Sequence, residues 1–315
     1  MFNVIRKAPE SVVVIVGPTA VGKTSVAIEL ISQIGGEIVS ADSMAVYKDM
    51  DIGTAKPSDE EQAKARFHLI DVADPNKPFN VGEFQRLAQD AINDIIKRNP
   101  PAVVVGGSGL YVRAAIDGLD SSIPAQNEKL RLKLVEEARV YGNEHVYKRL
   151  LDVDPKSAER IHPNNLKRVI RALEIYELTG SPASDLFEVD SKRTAKYPDA
   201  RFFGLTIDRK ALYARIEERI DIMISAGLVG EVASLLEHGA DLTLPSMQGL
   251  GYKEIAAYLQ GDYSMEDAID LLKKNTRRFA KRQYTWFKAD QRVEWIDVDG
   301  RTAKEVSQLI KESLL

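Results

Sequence analysis

The residues best suited to chemistry lie in one short run, residues 17–24, which reads Gly-Pro-Thr-Ala-Val-Gly-Lys-Thr. This order matches the P-loop pattern, in which backbone N–H groups surround an anion, the lysine adds charge beside the outer phosphates, and the last hydroxyl binds Mg²⁺. The sequence therefore predicts a phosphate site with Mg²⁺ on Thr24. The predicted phosphate-binding residues are Gly17, Thr19, Ala20, Val21, Gly22, Lys23 and Thr24.

The segments on both sides of the P-loop fit this prediction. Residues 11–16 are mostly β-branched, as in a strand that is buried on both faces of a parallel sheet, and residues 25–34 have the pattern of a helix. The alternative is a chance glycine-rich turn, which would require neither the strand nor the helix.

Two further predicted strands, residues 37–41 and 102–105, end in polar residues. Asp42 follows the first, at the edge where open α/β sheets bind ligands, and is either a general base, an indirect support for Mg²⁺ or a turn residue. Ser108 follows the second within Gly-Gly-Ser-Gly, which is either a second half of the phosphate cradle or a tight turn. Ordinary P-loop NTPases have an acid at this strand end, and here that acid is missing.

Strands that alternate with helices predict an α/β fold with a P-loop core, in which a parallel sheet forms the middle of three layers. Residues 128–178 have a helical pattern without β-branched runs, which predicts an inserted all-helical domain. A linker is predicted at 120–124, a polar return crossing at 181–198, and the strand that resumes the core at 202–207. The predicted domains are a discontinuous catalytic core, residues 1–119 and 198–315, and an insertion, residues 120–197.

Basic side chains form three groups on predicted helices. Arg215 and Arg219 lie one turn apart on the helix at 210–225, where they either clamp an anion or are neutralised by neighbouring glutamates. The net charge of −4 excludes a protein whose whole surface has a positive potential, so RNA binding would depend on the two other basic groups. The alternative is that these two groups are ordinary solvated helix faces. One group comprises Lys273, Lys274, Arg277, Arg278, Lys281 and Arg282, and the other comprises Lys167, Arg168 and Arg171.

The composition narrows the possible classes further. The chain has 315 residues, 44% of them hydrophobic, with no cysteine and four histidines, which excludes disulfides, thiolate metal sites and cysteine nucleophiles. No apolar run has transmembrane length, and residues 1–10 lack the apolar stretch of a signal peptide. We expect a cytoplasmic monomer without a membrane partner.

The chain resembles the tRNA dimethylallyltransferases over nearly its whole length. A P-loop alone indicates only a superfamily, whereas the blocks at 51–57 and 106–111 together are specific to this family. The motifs that carry the resemblance lie at residues 17–24, 40–47, 51–57, 68–71, 106–111, 171–174, 251–254 and 276–283.

The resemblance implies transfer of a dimethylallyl group from dimethylallyl diphosphate to N6 of adenosine 37, beside the anticodon of a tRNA, with release of diphosphate. Such an adenine must leave its stack to react. Asp42 is then the base, Ser108 lies near the leaving oxygen, and Arg215 or Arg219 neutralises the leaving group. The residues implied to contact the anticodon stem-loop are Asp42, Ser43, Met44, Ala45, Ser108, Leu166, Lys167, Arg168, Val169, Ile170, Met247, Gln248, Tyr252, Arg278 and Arg282.

Two positions depart from the family pattern. Ala45 stands where the family usually has glutamine, which removes a polar side chain, and Ser108 replaces threonine but keeps the hydroxyl.

Two other classes remain as alternatives. One is a small-molecule or nucleotide kinase, and the other is a nucleotide-switched RNA-binding protein, although the Asn-Lys-x-Asp base-recognition element is missing.

Overall fold

The computed structural model describes residues 12–98, 101–119, 124, 126–191 and 194–315, with the backbone alone at 190 and 191. Three predicted pieces lie outside these ranges, namely Ser11 of the first strand, residues 120–123 of the linker and residues 192–193 of the return crossing. The described part contains the strands β1 (Val12–Val16), β2 (Glu37–Ser40), β3 (Phe67–His68), β4 (Ala102–Gly106), β5 (Arg201–Thr206) and β6 (Val293–Asp297).

Helices connect and cover these strands. The helices of the described residues are α1 (Lys23–Ile34), α2 (Asp59–Lys64), α3 (Val81–Arg98), α4 (Gly109–Ile116), α5 (Glu128–Tyr141), α6 (Asn143–Val153), α7 (Pro155–Arg160), α8 (Leu166–Thr179), α9 (Ala183–Ser191), α10 (Arg209–Ser225), α11 (Leu228–Glu237), α12 (Tyr252–Leu259), α13 (Met265–Lys288) and α14 (Ala303–Ser313).

The strands of the described residues pair in parallel in the order β3-β2-β4-β1-β5-β6. Every residue of β1 and β4 is buried, so the centre of the sheet is covered on both faces, as their β-branched sequences predict. In register, Val16 of β1 lies beside Gly106 of β4, and Ser40 of β2 lies beside Val105. The loops after these three strands therefore leave the sheet at the same edge.

Contacts divide the described residues into two compact units. The first lies within Met1–Gly118 and Lys196–Leu315 and contains the sheet, and the second lies within Leu119–Ala195 and contains α5 to α9. The second unit occupies the part of the chain in which the sequence analysis places its insertion. Its core consists of small and branched apolar side chains, among them Leu134, Val146, Leu150, Val169 and Leu173.

A buried carboxylate joins three parts of the second unit. Glu174 on α8 is fully buried and accepts hydrogen bonds from Arg131 on α5 at 2.9 Å and from the backbone N–H of Asn127 at 2.6 Å. Arg171, one turn earlier, donates to the same carboxylate. Burial opposes ionisation of this carboxyl, yet the two arginines and the amide hold the pKa of Glu174 below its usual range.

The return crossing predicted at 181–198 is wrong in part, because it contains helix α9, Ala183–Ser191. The polar sequence of this segment does not indicate a helix, because the helix depends on tertiary contacts. Ala183 is buried, and the N–H of Ser184 donates to the buried Asp154 at 2.9 Å. In the sequence, the capping-box residues Ser58 and Glu61 predict a polar helix to about Arg66, and residues 81–98 have the pattern of another helix. The first ends at Lys64, and the second is confirmed as α3.

Replacing Glu174 by glutamine should destabilise the second unit by about 3 kcal/mol, because two arginines then face a neutral amide in the interior. Far-ultraviolet circular dichroism during urea titration measures this loss. Both tryptophans, Trp286 and Trp295, lie in the first unit, so tryptophan fluorescence serves as the reference for that unit. The matched control is Glu136→Gln, which removes an exposed ion pair with Arg139 and should leave the dichroism midpoint unchanged. Equal urea midpoints of the dichroism signal for wild type and Glu174→Gln would contradict the role of Glu174 in stabilising the second unit.

Candidate functional site

The P-loop begins where β1 ends and is held in an unusual backbone conformation. Gly17 has φ 144°, and a Cβ there would stand 2.7 Å from the carbonyl oxygen of Leu205, so a side chain has no room beside β5. Ala20 has φ 63°, a left-handed conformation that costs a non-glycine residue free energy. Gly22, with φ 97°, caps the first turn of α1. The surrounding contacts must therefore hold this loop in place.

Lys23 is the cation of the P-loop. Its Nζ donates to the carbonyl oxygen of Pro18 at 2.7 Å, which curls the side chain back over the loop. Burial lowers the pKa of Lys23 to about 8, although the nearby Asp42 opposes this shift. The hydroxyl of Thr24 faces the same cavity and makes no hydrogen bond to another described residue. It is therefore available to a ligand.

Asp42 and Ser108 come together through Ser43. One oxygen of Asp42, Oδ1, accepts a hydrogen bond from the N–H of Met44 at 2.8 Å. The Oγ of Ser108 accepts from the N–H of Ser43 and donates to its Oγ, both at 3.1 Å. The structure thus joins the loop after β2 to the loop after β4, as their positions in the sequence predict.

The glycines of the Gly-Gly-Ser-Gly turn make room for a helix. A Cβ at Gly107 would stand 2.2 Å from Nε2 of Gln283, and a Cβ at Gly109 would stand 2.2 Å from the ring of Trp286. Both of these side chains belong to α13. Close packing of α13 therefore explains the glycines at 107 and 109, and the suggested role of the turn as half of a phosphate cradle stays a prediction.

Two cavities of the first unit meet at these residues. The first, here called the anion cavity, has a volume of about 440 Å³ and is lined by Lys23, Thr24 and Arg215. The second, called the apolar cavity, has a volume of about 300 Å³ and is lined in part by Met44, Ile216, Ile220, Met223 and Leu272. Residues that line both cavities are Thr19, Ala20, Asp42, Thr54, Ala55, Arg219 and Phe279.

The two candidate arginines on α10 differ in position. Arg215 is exposed and lines only the anion cavity, whereas Arg219 is half-buried and lines both cavities. Burial lowers the pKa of Arg219, and Asp42 and Glu61 oppose this shift. Neither arginine forms an ion pair with another described residue. Glu217, one of the suggested neutralising partners, instead pairs with Arg277 at 2.6 Å.

Residues 51–57, here called the site loop, are held by a buried lysine. The side chain of Lys56 is 4% exposed, and its Nζ donates to the carbonyl oxygen of Tyr47 and to the carboxylates of Asp51 and Asp71. These three acceptors use all three hydrogens of the ammonium group. Lys56 therefore fixes the site loop, although it also lines the anion cavity.

A carboxylate on α11 holds the other side of the site loop. Oε2 of Glu231 accepts from the N–H groups of Asp51 and Ile52 at 2.9 and 2.8 Å, and Oε1 accepts from the N–H of Gly53 at 3.0 Å and from the hydroxyl of Tyr252 at 2.7 Å. A Cβ at Gly53 would stand 2.6 Å from the Tyr252 ring, which explains the glycine. Nothing in the sequence around Glu231 indicates this role, because its partners in the site loop lie about 180 residues away along the chain.

The basic helix α13 divides into two rows of different character. Lys273 and Arg277 form ion pairs with Asp221 and Glu217 of α10, each at 2.6 Å. The open row, Lys274, Arg278 and Arg282, is exposed and forms no ion pair with the described residues. The prediction of a basic surface is therefore restricted to the open row, because acids on the neighbouring helix neutralise part of the other.

The residues implied to contact tRNA occupy different environments. Ser43, Met44, Gln248, Tyr252 and Arg282 line the apolar cavity, and Ala45 lines the anion cavity. Lys167 and Arg168 are exposed, and Leu166 is partly buried. Val169, Ile170 and Met247 have buried side chains and line neither cavity, and their contact with tRNA stays a prediction. Val169 and Ile170 share helix α8 with exposed cations, but their side chains face the apolar core.

A protein-family model described as IPP transferase matches residues 45–290 of the chain. The chain belongs to the IPP transferase family. Among relatives of this family, the tRNA dimethylallyltransferase of Alkaliphilus oremlandii is 50% identical over 287 residues, which are 91% of this chain and 91% of that protein. The tRNA dimethylallyltransferase of Desulforudis audaxviator is 49% identical over 300 residues, 92% of this chain and 93% of the other.

Solved structures of IPP transferase relatives confirm the α/β fold. The crystal structure of the full-length tRNA isopentenylpyrophosphate transferase from Bacillus halodurans is 42% identical, covers 97% of each chain and has a TM-score of 0.70. A eukaryotic dimethylallyltransferase acting on tRNA is 29% identical, with a TM-score of 0.79, and the match covers 96% of this chain and 79% of that one.

Within the described ranges, no group of three or more His, Cys, Asp or Glu residues could hold a metal ion. Among the helices of those ranges, none is both long and apolar enough to cross a bilayer.

Proposed function

We propose that this chain is a tRNA dimethylallyltransferase, which transfers a dimethylallyl group from dimethylallyl diphosphate to N6 of the adenosine beside the anticodon, adenosine 37. Membership of the IPP transferase family and the names of its relatives support the reaction. The observation that carries the proposal at the level of residues is that Asp42 and Arg219 lie in the lining shared by an anion cavity and an apolar cavity. Leaving group and nucleophile can then meet at one place.

The reaction replaces one bond to the allylic carbon by another. The C–O bond to diphosphate breaks and its electron pair leaves with the diphosphate, while the N6 lone pair forms the new C–N bond. Negative charge grows on the diphosphate during this step. Lys23, Arg219 and the N–H groups of the P-loop are fixed beside the anion cavity, so they stabilise the growing charge more than they stabilise the bound substrate.

The proton of N6 goes to Asp42 in this proposal. The lone pair of adenine N6 is delocalised into the ring, so removal of its proton as the C–N bond forms lowers the barrier. Oδ1 of Asp42 is already held by the N–H of Met44. Its other oxygen is the one assigned to the base role, and the shared lining of the two cavities supports this assignment.

Mg²⁺ is the proposed cofactor, and the residues present fit it. Mg²⁺ keeps several waters and is commonly held by one or two protein oxygens together with substrate phosphates. The hydroxyl of Thr24, which makes no hydrogen bond to another described residue, lines the anion cavity and supplies such an oxygen. When bound, Mg²⁺ would neutralise part of the charge on diphosphate.

Mass spectrometry of tRNA nucleosides after incubation with dimethylallyl diphosphate and Mg²⁺ tests the proposed function, with prenylated adenosine as the expected product. Asp42→Ala should reduce the single-turnover rate by about 10² to 10⁴-fold, the usual contribution of a positioned base, with little change in tRNA affinity. The matched control, Asp270→Ala, removes an exposed carboxylate of α13 and should react normally. A fully active Asp42→Ala variant would refute the base assignment, and an inactive wild-type protein would refute the function.

The affinity for dimethylallyl diphosphate should fall as the pH rises above about 8, because the free enzyme then loses the positive charge of Lys23. The pH profile of kcat/KM for dimethylallyl diphosphate, at saturating tRNA, measures this loss. The Lys23→Arg variant keeps a positive charge throughout the measured pH range, so the decrease in kcat/KM should move to higher pH. This shift is expected even if the variant reacts more slowly than wild type. A flat wild-type profile up to pH 9.5, or an unshifted fall in Lys23→Arg, would contradict the prediction.

Reversing the charges of Lys274 and Arg278 in the open row to glutamate should weaken tRNA binding and make its dependence on salt shallower, since fewer counterions are released. Filter binding of tRNA at several salt concentrations measures both quantities. A matched double reversal at Lys304 and Lys311 of α14 changes the net charge equally and tests whether charge alone is responsible. Equal affinities and slopes for wild type and the α13 variant would make the open row an ordinary solvated face.

A further inference from the structure

Gln283 on α13 is a buried polar residue that bridges two loops of the site. It is 6% exposed. Its Oε1 accepts a hydrogen bond from the backbone N–H of Thr19 at 2.8 Å, and its Nε2 donates to the carbonyl oxygen of Gly107 at 2.9 Å. One amide group therefore satisfies a donor in the P-loop after β1 and an acceptor in the turn after β4.

Only a neutral side chain with an acceptor and a donor at adjacent positions satisfies both partners. Thr19 directly precedes Ala20, which holds the left-handed φ of 63°. A strained backbone of this kind persists only where its neighbours determine it, and the hydrogen bond to Gln283 fixes the Pro18–Thr19 peptide, one residue before the strained position. The absence of a side chain at Gly107 lets the amide approach this closely.

The second loop leads to the proposed base. Gly107 directly precedes Ser108, whose hydroxyl holds the backbone and side chain of Ser43, and Ser43 follows Asp42. The two hydrogen bonds of Gln283 therefore link two sides of the site. One side is the P-loop, where the leaving group binds, and the other leads to Asp42, where the nucleophile reacts.

We propose that Gln283 is a positioning residue, which fixes the distance between the P-loop and the Ser108–Asp42 side so that diphosphate and adenine N6 align on opposite sides of the allylic carbon. This role rests on the proposed function. Small misplacements of reacting groups are costly, since an error of about 1 Å can reduce a rate by about 10²-fold. Gln283 itself is assigned no proton transfer and no charge.

The test compares Gln283→Met, which has a similar length but no matching donor and acceptor, with Tyr284→Phe. Tyr284 is the next residue of α13, and its hydroxyl contacts Thr206 and the N–H of Ile207 at 3.1 and 3.2 Å, neither of which belongs to the P-loop. Tyr284→Phe therefore loosens the same helix without releasing Thr19. Melting temperatures, the Kd for tRNA, the KM for dimethylallyl diphosphate and the single-turnover transfer rate are measured for both variants.

We expect Gln283→Met to transfer dimethylallyl about 10- to 10²-fold more slowly than wild type, with Kd and KM changed by less than about threefold. Hydrogen exchange at the Thr19 amide should accelerate in the same variant. Tyr284→Phe should show neither change. If Gln283→Met fails to fold, Gly107→Ala displaces the amide from the other side of the bridge and should give the same slow transfer.

Three results would overturn the proposal. A wild-type transfer rate in Gln283→Met, or in a folded Gly107→Ala, shows that the bridge is not needed. An equal loss in Tyr284→Phe assigns the effect to general loosening of α13. A wild-type protein that leaves tRNA unmodified overturns the proposed function and this role with it, whereas an active wild type beside an equally active Gln283→Met overturns the positioning role alone.

Discussion

Parallel pairing of β1 with β4, and of β4 with β2, sets the geometry of the site. Because the register places Val16 beside Gly106 and Ser40 beside Val105, three loops leave one edge of the sheet side by side. These loops carry the P-loop, Asp42 and Ser108, which lie far apart in the sequence. Side chains alternate between the two faces of a strand, so a shift of the pairing by one residue would turn the shifted strand's side chains to the opposite face. The buried sheet therefore protects the spacing of the reacting groups as well as the stability of the core.

Buried and partly buried polar groups hold the loops at this edge, and each has its partners. Lys56 and Glu231 hold the site loop from two sides, and Gln283 joins the P-loop to the turn after β4. Such matched groups resist movement because a broken contact leaves a buried charge or dipole unsatisfied. Strained backbone gathers at the same place. The non-glycine residues of the described chain with positive φ are Ala20, Asp49, Ala55, Leu69 and Asp71; of these, Ala20 and Ala55 line both cavities and Asp71 accepts from Lys56.

The local sequence pattern was sufficient to predict the strands with β-branched runs, the P-loop and the helix at 81–98, because the residues that indicate each of them are close together in the sequence. It failed where a partner far along the chain decides the outcome. Helix α9 needs Asp154 to hold its first turn, and β3 contains only two residues and depends on β2. The resemblance, not the local pattern, implies that Val169 and Ile170 contact tRNA, and the apolar periodicity of α8 turns their side chains inward. Glu231 carried no local signal, since a lone glutamate on a short helix is ordinary.

The connectivity of the first unit has a consequence for synthesis on the ribosome, where a chain emerges from its N-terminus. The P-loop motif and Asp42 are made early, yet β5, which flanks the P-loop, follows only after the whole second unit, and Gln283 emerges later still. A nascent chain that stops before α13 thus carries the complete phosphate-binding sequence without the amide that orders Thr19. The site is therefore completed only after α13 has been made, and chains that terminate before α13 lack a complete catalytic edge.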